Sequence, residues 1–160
     1  MALLDFIPAD VDWRVDRVLN VSARLEYACV ALVELALHHG TDQPVRVRQI
    51  AESQRIPARF LVQILLHLKS AGLVASTRGA SGGYQLAKPP QEICLADVVG
   101  LFDSPSSPDV TTGTQPTPVA RVLAGTWEKL AELERQRLRS ITIASLAIRV
   151  RDVTEKMYYI

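Results

Sequence analysis

Residues 56–88 read IPARFLVQILLHLKSAGLVASTRGASGGYQLAK, and two different periods meet inside them. From Ala58 to Gly72 apolar residues return at helical spacing, with Phe60, Leu61, Ile64, Leu65 and Leu68 on one stripe and Gly72 placed to stop the helix. From Leu73 the period falls to two. LVAST (73–77) and YQLAK (84–88) alternate, and the intervening RGASGG lets the two runs pair as a hairpin. Upstream, RQIAESQ (48–54) supplies about two helical turns with Ile50 and Ala51 inward, and the chain turns at Arg55, Ile56 and Pro57. Two helices joined by a tight turn make a helix-turn-helix, in which the small Ala51 lets the helices cross closely. A helix-turn-helix that runs directly into a hairpin is a winged helix, so the expected fold is mainly α with one small β-hairpin.

Working outward, the apolar spacing from Ser22 through Leu25, Ala28, Cys29, Leu32, Val33, Leu35 and Ala36 predicts a first helix that stops by Gly40. PVRV (44–47) reads as a short β-like connector, and EICLADVVGLF (92–102) as a short helix. Residues 103–118 are rich in Ser, Thr and Pro and read as a flexible loop. A long helix is expected over 119–140, where Val119, Leu123, Trp127, Leu130 and Leu133 fall near heptad spacing and suggest a dimer seam. The run 141–156 predicts a closing helix with Thr142 as its N-cap. The expected organisation is an N-terminal arm (1–20), a winged domain (21–102), the loop (103–118), and dimerisation and closing helices (119–160).

With 160 residues, 48% of them hydrophobic, the chain can bury one substantial core. Its net charge of +1 names no partner, but the distribution does. Between Arg46 and Lys88 seven basic residues stand against the single acid Glu52, a net of +6 that leaves about −5 for the rest. Such a basic island is the footprint of a surface that meets phosphates. Cys29 and Cys94 sit in apolar contexts without CxxC spacing, which argues against a disulfide framework or a zinc site and fits a reducing cytoplasm. No run has the length or apolarity of a signal peptide or membrane span, so neither membrane contact nor secretion is expected. Nucleophile-base pairs, metal spacings and helix-opening phosphate loops are missing too, which disfavours an enzyme.

Within the island, Arg59 and Gln63 can bond base edges bidentately, and Arg46 and Arg48 at the start of the short helix suit backbone contact or plain solvation. Arg78, Gly79, Ser81, Gly82 and Gly83 form the hairpin tip. There glycines permit φ > 0 and leave backbone N–H groups bare for a sugar-phosphate backbone, while also making a tight structural turn. Tyr84 is expected to pack under the wing. His38 and His39 point to different helix faces, which suits capping and solvation better than a metal. Cys94 has no cationic neighbour in the sequence to make it a reactive thiol.

The segments SARLEYACVALVELAL (22–37), IAESQRIPARFLVQILLHLKSAGLVASTRGASGGYQLAKPP (50–90) and EICLADVV (92–99) together resemble the Rrf2 family of bacterial transcription regulators, more loosely continued in WEKL and SITIASLA. The resemblance implies a homodimer on a pseudo-palindromic double-stranded DNA operator. Each protomer would lay the helix at 58–71 in a major groove and place Arg78 in the adjacent minor groove. Two departures stand out. Val62 occupies a position where many members carry a base-reading glutamate, and the loop at 103–118 lacks the three cysteines with which cluster-bearing members hold iron and sulfur. Ligation by a glutamate and histidine one turn apart also fails, since Glu26 is followed one turn on by Val30. The expected protein is thus a dimeric DNA-binding repressor, seamed through Leu123, Trp127, Leu130 and Leu133, without metal or cofactor and answering to a protein or small-molecule effector. The competing reading is a winged-helix module for protein partners, against which the +6 island speaks.

Overall fold

The computed structural model describes residues 21–41, 43–102 and 117–158; the expected arm and all but the last two residues of the expected loop lie outside them. Six α-helices and one two-stranded antiparallel sheet follow in order: α1 (Ala23–Leu37), α2 (Val47–Ser53), α3 (Ala58–Ser70), β1 (Val74–Thr77), β2 (Gly83–Leu86), α4 (Leu95–Phe102), α5 (Pro118–Ser140) and α6 (Ile143–Tyr158). A single 3-10 turn at Pro90–Glu92 precedes α4. The mainly α, winged-helix architecture read from the sequence is the one found.

Helix α1 is the post around which the domain packs. Ser22 caps it, its Oγ accepting the Leu25 N–H at 3.2 Å. Leu25, Ala28, Ala31, Leu32, Leu35 and Ala36 are buried, and α3, α4, α6 and β2 all rest against it. Leu61, Ile64, Leu65 and Leu68 of α3 complete this core, each fully buried leucine contributing roughly 2 kcal/mol. Phe60, read as part of the same stripe, is instead 60% exposed. One residue before Leu61 means a rotation of about 100° around the helix, enough to leave the core. The end of α3 is a Schellman motif: Gly72 (φ +74) donates to the Lys69 carbonyl and Leu73 to the Leu68 carbonyl, each at 3.0 Å. At the end of α2 the same left-handed position is held by Arg55 (φ 54), after which Ile56 donates to the Ala51 carbonyl and its side chain turns into the core.

The hairpin pairs Val74 with Leu86, Ala75 with Gln85, Ser76 with Tyr84 and Thr77 with Gly83. Val74 and Leu86 share its buried face, and the Tyr84 ring packs against the core, as expected of it. The connector before α2 adds one rung: Val45 and Tyr84 exchange two backbone hydrogen bonds of 2.8 Å. A second bridge, Cys94 with Thr142, sets the starts of α4 and α6 side by side. Thr142 caps α6 through the Ser145 N–H at 3.1 Å, and Thr117 caps α5, with Pro118 as its first residue.

The wing glycines have two different causes. Gly79 takes φ +107, a left-handed conformation that disfavours any side chain. Gly82 and Gly83 have no such φ; they are required by proximity, since a Cβ would stand 2.4 Å from the Thr77 carbonyl oxygen at one and 2.5 Å from that of Val45 at the other. Gly83→Ala should therefore destabilise the fold by about 1–3 kcal/mol through overpacking against backbone. Gly100, in α4 with open space around it, should gain roughly 0.5–1 kcal/mol on becoming Ala. Urea unfolding of both variants checks this, and a neutral Gly83→Ala would mean that the rung to Val45 yields freely.

Candidate nucleic-acid interface

Helix α3 turns its buried face to α1 and its opposite face to solvent, and that outward face carries Arg59, Val62, Gln63 and Leu66. The first turn also shows Phe60. Arg59, Phe60, Val62 and Gln63 line one open concavity of about 480 Å³. Beyond the end of α3, the hairpin carries Arg78, Gly79, Ala80 and Ser81 exposed at its tip, with Gly82 and Gly83 half-buried.

The basic residues of the island divide into two groups by what they already hold. Arg46 reaches across the fold and donates from Nη2 to the Ala80 carbonyl, tying the wing tip to the start of α2. Arg48 pairs with Glu52 one turn on, Nε to Oε1 at 2.7 Å. The hydrogen bond that Arg48 donates to Glu52, then the Glu52 charge, raises the Arg48 pKa above the ordinary arginine value, and both side chains are open to water. Lys69 donates from Nζ to Ser76 Oγ at 2.6 Å, pinning the end of α3 to β1. The side chains of Arg59 and Arg78, with those of Arg55 and Lys88, make no hydrogen bond or ion pair among the described residues. Two of the four arginines picked out from sequence are thus engaged within the fold, and two are uncommitted.

The clamp by Arg46 was invisible in the sequence, because its partner lies 34 residues away and is a backbone carbonyl. Other candidates resolve as structural. His38 Nδ1 lies 2.9 Å from the Glu34 carbonyl, and the His67 ring meets Phe102 edge-on at 4.8 Å, with the Arg24 guanidinium 5.9 Å from that ring. Cys94 sits before α4 in a capping arrangement: its backbone N–H and its thiol both point to Asp97 Oδ2, at 3.0 and 3.2 Å.

If Arg46 holds the wing, Arg46→Ala should speed amide hydrogen exchange across 78–83 severalfold while leaving exchange in α1 and α3 unchanged. Mass-spectrometric exchange on the two proteins reads this directly. Identical wing protection in both would show that the hairpin holds itself.

Residues 21–149 match the Rrf2 family model, described as an iron-dependent transcriptional regulator. The chain is 32% identical over 129 residues to the HTH-type transcriptional regulator CymR of Bacillus subtilis, covering 81% of this chain and 90% of that one. Among solved structures, T. potens IscR superposes with a TM-score of 0.71 at 32% identity, covering 85% of this chain and 91% of that one. The structure of CymR, titled the global cysteine regulator of B. subtilis, follows at 0.69 and 30%, covering 82% and 98%. Both cysteines and all three histidines of the chain lie among the described residues, where no three metal-ligating side chains come together. No described helix is long and apolar enough to cross a membrane. In family, fold and the full run of the winged domain, the chain belongs to the Rrf2 family of transcriptional regulators.

Proposed function

We propose that the protein is a homodimeric, sequence-specific DNA-binding repressor that acts in the cytoplasm and takes its input from something other than an iron–sulfur cluster. The observation that carries this reading is the pairing of two uncommitted arginines, Arg59 on the outward face of α3 and Arg78 at the wing tip, on elements fastened to each other. Arg59 and Gln63 suit base edges in a major groove, where a recognition helix presents its N-terminal residues. Arg78, on a thin glycine-flanked tip, suits a narrow and electronegative minor groove. Backbone groups of Gly79, Ser81, Gly82 and Gly83 would approach phosphates, while Arg46 and Arg48 contribute positive field near the strand that α2 crosses.

Helix α5 supports the dimer. Its 23 residues extend about 34 Å, yet along them only Leu138 is buried. Leu123, Trp127, Leu130 and Leu133 are 48–62% exposed, a stripe that one winged domain leaves uncovered. A two-fold dimer through this stripe would present two α3 helices to two half-sites, which is why the operator should be pseudo-palindromic. Repression would act by occlusion, a dimer on both half-sites keeping other proteins off that DNA. The input is left to a protein or small-molecule effector, because two separated cysteines cannot assemble the usual thiolate set of a cluster.

Leu130→Glu should give monomers in sedimentation velocity at micromolar concentration, where the parent chain is dimeric; a monomeric parent chain would remove the seam. Arg78→Ala should weaken operator binding and flatten the slope of log K against log salt by about 1.8, two half-sites each losing one counterion's worth. It should also lower the preference for A·T-rich flanks. An unchanged slope and affinity would make the wing purely structural and favour a protein-binding module.

A further inference from the structure

The outward face of α3 offers an uneven set of base-reading groups. Arg59 can take guanine O6 and N7, and Gln63 can take adenine N6 and N7. Cytosine displays an N4 donor, for which a carboxylate is the usual acceptor, and no carboxylate exists in α3 or anywhere in the hairpin from Val74 to Leu86. What stands beside Arg59 and Gln63 instead is apolar. Val62, half-buried, lies three residues after Arg59 and four before Leu66, so the three share one side of the helix. Leu66 is 45% exposed, and Phe60 is 60% exposed on the wall of the concavity that Arg59, Val62 and Gln63 also line. An apolar residue among polar base readers in the first two turns of α3 is placed where base edges would come. The apolar feature of a major groove is the C5 methyl of thymine.

We propose that Val62 is a specificity-determining residue that reads a thymine methyl in each half-site. This inference rests on the DNA-binding function proposed above and adds to it the chemical class of the base. Contact with Val62 removes the methyl from water beside the two polar readers, whereas a cytosine there would lose its N4 partner without gaining one from Val62.

The test uses the full chain and the duplex that it enriches from a random pool, with each thymine replaced singly by deoxyuridine, which deletes only the methyl. One thymine per half-site should show a loss of about fourfold, the equivalent of burying one methyl group at about 0.8 kcal/mol. Val62→Ala should bind thymine and deoxyuridine equally at that position while keeping its sensitivity elsewhere. Val62→Thr, which retains a γ-methyl, should keep the fourfold preference. Equal binding of every deoxyuridine duplex by the parent chain would overturn the inference and leave DNA reading intact, as would an undiminished methyl effect in Val62→Ala. Failure to enrich any sequence would overturn the DNA-reading function itself, and this inference with it.

Discussion

The two hydrogen bonds between Val45 and Tyr84 are the constraint on which the functional surface depends. A hairpin of two four-residue strands is marginal in water by itself, and α2 is only two turns long. The rung joins them, each bond contributing about 1 kcal/mol, with Gly83 lying so close to Val45 that no side chain fits between. Below the rung, Val74, Leu86 and the Tyr84 ring fasten the hairpin to the core, and above it Arg46 holds the tip at Ala80. Helix α2 packs on α3, so the wing and the outward face of α3 become two parts of one body.

That rigidity changes how the basic island should be understood. A net charge of +6 in sequence suggests a diffuse attraction, yet Arg46, Arg48 and Lys69 spend hydrogen bonds inside the fold. Their charges still add to the field, which is screened over about 8 Å at physiological salt. Arg59 and Arg78 are exposed and their guanidinium groups are unpaired among the described residues, which is why directed recognition is proposed to fall to them. On the proposed function, the same division separates positioning from reading within a stretch of some forty residues.

Most of the architecture was legible because it depends on local period and punctuation. The helical stripe of α1 between Ser22 and Gly40, the switch from period 3.6 to period 2 at Leu73, and the cap at Thr142 are local signals, and each appears in the fold. What escaped depends on geometry between distant segments. Phe60 looked like core because it adjoins Leu61, and only the rotation of one residue shows otherwise. Gly82 was assigned to a positive φ when its cause is the Thr77 carbonyl oxygen against it. The Arg46 clamp, the Val45 rung and the Cys94 thiol pointing to Asp97 all needed coordinates. Arg55 in the left-handed turn was placed correctly as a turn residue, but arginine carries no sequence signal for that conformation.

The most direct test of a single, two-part reading surface is a paired footprint on one enriched duplex, with dimethyl sulfate probing guanine N7 in the major groove and hydroxyl radical probing the backbone along the minor groove. Protection in both grooves, offset by a fixed distance of about half a helical turn, roughly 5 base pairs, in each half-site, is the result expected. Major-groove protection with a fully reactive neighbouring minor groove would contradict it, because α3 would then be reading DNA without the wing.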